Sequence, residues 1–145
     1  MATDKAILLV EDNPDEEALT LRAIRKHRIN AAVTVAHDGV EALNTIFPPA
    51  GQEEAVMPWF VILDLKLPRV DGFDVIARLR ADPRTRLLPI VIFTSSTEAR
   101  DIRRCYELGA NGYVAKPVAA EPYQEAVGLM THYWFRLSQD PYLRK

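Results

Sequence analysis

The sequence predicts a doubly wound α/β fold: five parallel strands in the order 2-1-3-4-5, with helices on both faces. Two observations carry this. Short apolar runs alternate along the chain with longer stretches of helical spacing, and such alternation builds a parallel sheet covered by helices. The runs are rich in Val, Ile and Phe and nearly free of interior polar residues, as strands buried on both faces are. The chain has 145 residues, 48% of them hydrophobic, which suits a single domain with a sizeable core. We read one domain over 1–145, with its core at 5–137 and a short tail at 138–145.

The first strand is expected at Ala6–Val10. Asn13-Pro14 then opens a helix, because Asn suits the N-cap and Pro the first turn. Its apolar stripe is Ala18, Leu21, Ala23 and Ile24, and the basic run 25–28 complements the C-terminal dipole. The second strand is Ala32–Ala36. A helix from near Asp38 carries Val40, Leu43, Ile46 and Phe47 until Pro48-Pro49 stops it. The stretch 48–58, with Pro, Gly and adjacent acids, reads as a surface loop. Phe60–Leu63 is the third strand, and 72–81 the third helix, stopped by Asp82-Pro83. The fourth strand is 90–93. The fourth helix starts around Ser96-Thr97 and ends at Gly109, a residue type suited to a left-handed C-terminal cap. The fifth strand is 113–115 and the fifth helix 120–137. Five such units suit the flavodoxin-like order; another doubly wound order is the alternative.

Composition excludes several classes. Lys and Arg number 18 against 20 Asp and Glu, a formal net charge of −2, so nucleic acid is not expected as the main partner. Cys105 is the single cysteine; it forms no internal disulfide and belongs to no zinc-type spacing. The N-terminal apolar run is too short for a signal peptide or a membrane span. The expected location is the cytoplasm, with no membrane partner.

In open α/β sheets ligands bind beyond the carboxyl ends of the strands, where the strand order reverses. Here that point lies between strands one and three, which end in Glu11-Asp12 and Asp64. Three carboxylates crowded into one crevice repel one another unless a cation joins them. Mg²⁺, or Mn²⁺ in its place, favours such oxygen ligands together with waters and a phosphate. Thr94 ends the fourth strand with its hydroxyl toward the same crevice. Ser96 is read as a cap for the next helix, and Ser95 stays open between cap and crevice. Lys116 follows the fifth strand; it either balances the acids or binds a phosphate. Pro117 fixes a turn there, with a cis bond as one way of doing so. Tyr113 is open between edge packing and a switching role.

Four segments together are similar to the bacterial response-regulator receiver family. They are Ile7-Leu8-Leu9-Val10-Glu11-Asp12-Asn13-Pro14; Val61 through Pro68 with Asp71-Gly72; Phe93-Thr94-Ser95-Ser96; and Gly109-Ala110 through Lys116-Pro117. They occur in order across nearly the whole chain. The resemblance implies that Asp64 is the phosphoacceptor nucleophile. Glu11, Asp12, Asp64 and the backbone carbonyl of Lys66 would hold the metal. Thr94 and Lys116 would hold phosphoryl oxygens, with Thr94 and Tyr113 as the switch pair. It also implies a signalling domain, not a turnover enzyme, that assists its own phosphorylation and dephosphorylation. The donor would be a histidine kinase or a histidine phosphotransfer protein. The loop 48–58 and the Tyr-Trp tail resemble standalone regulators paired with bacterial phytochromes. A haloacid-dehalogenase-like phosphatase would usually carry a second acid where this chain has Lys66. A pure binding module would usually have lost acids or the lysine.

Only a short tail comes after helix five, so a protein–protein readout is expected. One helical face would bury Tyr123, Val127, Met130, Trp134 and Leu137, leaving Tyr133 and Phe135 elsewhere. That surplus of apolar surface points to a homodimer, through helix four, strand five and helix five or through the aromatic tail. The alternative is a tail folded back on its own core.

Overall fold

The computed structural model describes residues 5–52 and 54–144. In chain order the elements are β1 (Ala6–Val10), α1 (Pro14–Lys26), β2 (Ala32–Ala36), α2 (Gly39–Ile46), β3 (Phe60–Leu63), α3 (Gly72–Ala81), β4 (Ile90–Thr94), α4 (Ala99–Leu108), β5 (Gly112–Ala115) and α5 (Ala120–His132). A π-helical turn (Tyr133–Leu137) extends α5. The sheet is parallel, in the order β2-β1-β3-β4-β5.

Alternate strand residues point to opposite faces, and two cores result. Ile7, Leu9, Ile62, Val91 and Phe93 pack against Ala23 and Ile24 of α1 and Tyr123, Val127 and Met130 of α5. Leu8, Val10, Leu63, Ile90 and Ile92 pack against Leu43 of α2, Ile76 and Leu79 of α3 and Cys105 of α4. Burial pushes the Cys105 thiol up to about 11, so it stays protonated. No helix among the described residues is long and apolar enough to cross a membrane.

Four expectations need correction. First, β1, β3 and β4 are fully buried, but β2 and β5 are only partly so. Both lie at the sheet edges, where a strand has one neighbour and incomplete cover. Second, α4 begins at Ala99, later than expected; its N-cap is Glu98, whose side chain makes no capping bond. Ser96 instead reaches in from outside the helix: its Oγ donates to Asp101 Oδ2 at 2.7 Å and accepts from Glu98 N at 3.3 Å.

Third, the end of α5 widens into the π turn. The wider turn moves Phe135 into the core at 7% exposure and leaves Leu137 at 59%, the reverse of the α-helical expectation. Fourth, the tail turns back on its own chain. Leu87 N donates to Tyr142 Oη at 3.2 Å, and Arg144 donates to the carbonyls of Met57 and Pro58 at 2.9 and 3.1 Å.

Candidate functional site

The carboxyl ends of the strands line one edge of the sheet, and backbone bonds extend the ladder one residue further. Glu11 N donates to Ala36 O at 2.9 Å, Asp64 N to Val10 O at 3.1 Å and Lys116 N to Thr94 O at 2.7 Å. Each side chain therefore leaves from a fixed point. They meet around one amine: Lys116 Nζ donates to Glu11 Oε1 at 2.7 Å, Asp64 Oδ2 at 2.9 Å and Glu16 Oε1 at 2.9 Å. An ammonium has three donors, and each finds a carboxylate. Asp64 Oδ1 also accepts from Leu65 N at 2.7 Å, and Glu11 Oε2 from Asn13 N at 3.2 Å.

The cluster is nearly dry: the Lys116 and Glu11 side chains are each 2% exposed. Burial pushes the Glu11 carboxyl up to about 7 against the lowering effect of Lys116. Burial also works to lower the Lys116 ammonium, but its hydrogen bonds to Glu11 and Asp64 prevail and hold it above the usual lysine value.

Two helix starts frame the site. Asp71 caps α3 by accepting from Asp74 N at 3.0 Å. A Cβ on Gly72 would lie 2.5 Å from Asp64 O and 2.7 Å from Leu65 Cα. Only glycine lets α3 begin so close to the end of β3. Asp38 caps α2 and accepts from Arg69 Nε at 2.9 Å. Burial works to raise Asp38, but the bonds from Glu41 N and Arg69 hold it below the ordinary aspartate value.

The expected residues largely come together. Glu11, Asp64 and Lys116 are in direct contact. Asp12, Lys66, Thr94 and Ser95 line the same crevice of about 460 Å³, with Asp12 on its exposed rim and Thr94 buried. Tyr113 stands apart: its hydroxyl donates to Ser96 O at 2.9 Å, tying β5 to the segment before α4. The bond to Pro117 is trans, not cis.

One member of the cluster lies outside the expected set. Glu16 completes the acidic group, and single carboxylate oxygens of Glu11, Glu16 and Asp64 lie within 4.8 Å of one another. A signal for it exists in the sequence. Asn13 is the N-cap and accepts from Asp15 N and Glu16 N; Glu16 is thus the third helical residue, and side chains there lean back toward the helix start. The carboxylates gathered at this edge offer hard oxygen donors, a fit for a small divalent cation.

The family model described as the response regulator receiver domain matches residues 7–128. The chain belongs to the response regulator receiver family. Among curated relatives, the probable methanogenesis regulatory protein FilR2 of Methanothrix harundinacea is 34% identical over 135 residues, covering 93% of this chain and 86% of its own. Response regulator Rcp1 of Synechocystis is 31% identical over 112 residues, 77% of this chain and 76% of its own. Two solved structures share the receiver's whole architecture. The Mn(2+)-bound form of Rcp1 has a TM-score of 0.88 at 28% identity, covering 94% of this chain and 99% of that one. The phosphorylated cyanobacterial phytochrome regulator RcpA has a TM-score of 0.90 at 29% identity, covering 96% and 99%. This receiver is therefore a signalling domain of the two-component type.

Proposed function

We propose that this receiver takes a phosphoryl group from a phosphohistidine onto Asp64. The contact of Asp64 with the buried Lys116 ammonium, 2.9 Å from Oδ2, carries the reading. An Asp64 carboxylate oxygen attacks the phosphorus, the P–N bond breaks, and the electron pair leaves with the imidazole. Negative charge spreads over the equatorial phosphoryl oxygens, so positioning and electrostatics supply the catalysis. Lys116 supplies positive charge from the β5 side and Thr94 a hydroxyl donor from the end of β4. The backbone amide of Leu65 fixes the rotamer of Asp64.

The acidic set would hold Mg²⁺, or Mn²⁺ as named for Rcp1, through Glu11, Asp12, Asp64 and the Lys66 carbonyl; when bound, it neutralises developing phosphoryl charge. The aspartyl phosphate is later hydrolysed by water, which makes the signal self-limiting. While it lasts, the phosphoryl group draws on the Thr94 hydroxyl. The change passes to the neighbouring Ser96 carbonyl and so to Tyr113.

The donor is a histidine kinase or histidine phosphotransfer protein. RcpA, a phytochrome regulator by name, favours a phytochrome-type kinase. The reading places the protein in the cytoplasm, signalling through protein contacts. Its dimer surface is α4–β5–α5, where Tyr106 of α4, Leu129 of α5 and Val118 between β5 and α5 are exposed.

Intact-mass measurement after acetyl phosphate and Mg²⁺ tests the acceptor. The wild type should gain one phosphoryl group and lose it with time, and Asp64→Asn should gain none. Equal labelling of both proteins would assign the acceptor elsewhere.

A further inference from the structure

We propose that Glu16 is a positioning residue for Lys116, keeping the ammonium at the crevice when a divalent cation engages Glu11 and Asp64. The inference rests on the reading of Asp64 as phosphoacceptor and assigns a role to a side chain outside that reading.

Lys116 Nζ has three partners. Two of them, Glu11 and Asp64, are carboxylates that the cation also needs. The cation and the ammonium carry like charge and draw on the same two carboxylates, so a bound cation weakens the hold of the amine on both. At 2% exposure the Lys116 side chain has little water to turn to, and a buried ammonium without an anion is strongly disfavoured. Glu16 resolves the conflict. It comes from a helix start, not a strand end, and its side chain is 28% exposed. It can therefore follow the amine when the other two carboxylates are engaged.

The Glu16 backbone is held on both sides. Its amide donates to Asn13 Oδ1 at 3.1 Å, and its carbonyl accepts from Tyr123 Oη of α5 at 3.3 Å. Tyr123 Oη is itself 2.9 Å from Thr20 Oγ1. With its backbone held this firmly, Glu16 keeps its side chain within reach of the lysine.

Mn²⁺ titration by calorimetry of the full chain tests this in a double-mutant cycle. Glu16→Gln should weaken Mn²⁺ binding roughly tenfold, because the amine then has no other anion. In the Lys116→Gln background the same change should cost less than about twofold, as an effect relayed through the lysine vanishes with it. An equal loss in both backgrounds would make Glu16 a direct influence on the cation and overturn the proposal, as would no loss in either. Failure of the wild type to bind Mn²⁺ would overturn the metal reading of the whole site and this inference with it.

Should Lys116→Gln fail to fold, the Lys116 side-chain NMR signal decides. With saturating Mg²⁺ it should stay dispersed and sharp in the wild type and average toward a free-lysine value in Glu16→Gln. Identical signals in the two proteins reject the proposal.

Discussion

Asp140 is held by Arg144 at 2.8 Å, with its own side chain 2% exposed. Burial works to raise its pKa, but the Arg144 and backbone hydrogen bonds prevail and hold it below the ordinary aspartate value. A carboxyl lowered on folding stabilises the native state above its unfolded pKa and loses that contribution as the pH falls through its folded one. The stability advantage of wild type over Asp140→Asn should therefore be full above about pH 4 and shrink below it; urea melts at pH 6, 4 and 3 would measure it. A constant difference across that range would mean the pair contributes nothing through ionisation. Single residues of this kind differ in how readily the sequence reveals them. Glu11, Asp64 and Lys116 are legible because each directly follows an apolar strand, and parallel strands end at one edge. Glu16 escapes such reasoning because its helix projects it back into a crevice built by strands, so the cap at Asn13, legible as a helix start, has also to be read as placing the third helical residue at the strand ends.

Phe135 and Leu137 report on a whole element. The spacing locates the fifth helix correctly but implies α-helical periodicity to its end. The π turn puts one more residue into the last turn and rotates the side chains beyond it. Phe135→Ala should therefore destabilise by about 3 kcal/mol or more, while Leu137→Ala should stay within about 0.5 kcal/mol. Thermal unfolding of the two variants compares them, and the reverse ranking would indicate an uninterrupted α-helix. The late start of α4 has a local cause: Ser96 looks like a cap, but it commits its hydroxyl to Asp101 from outside the helix. Edge strands β2 and β5 are placed correctly by order, and only their burial is overstated, because apolar composition does not reveal how many neighbours a strand has.

For the molecule as a whole, the fold order and the edge bearing the site can be read from the alternation of runs, while the path of the tail cannot. A few aromatic residues after a helix are compatible with either a partner or the chain's own core. Here Arg144 and Tyr142 tie the tail to the entrances of β3 and β4. Removing residues 138–145 should lower stability by about 2 kcal/mol or more, given bonds from a charged donor. It should leave Mn²⁺ affinity unchanged, since the tail lies at the amino edge of the sheet. Urea unfolding and a calorimetric titration of the truncated chain check the two halves of that statement, and a large fall in metal affinity would contradict it. The same placement governs the protein's optical properties. The chain has two tryptophans. Trp59 sits at the entrance of β3, with Lys5 Nζ 4.6 Å and Arg144 Cζ 5.3 Å from its ring centre. Trp134 lies on the turn that leads into the tail. Intrinsic fluorescence is therefore a gauge of whether the C-terminus is docked, and a paramagnetic ion among the acids at the far edge would leave the indole emission close to unquenched.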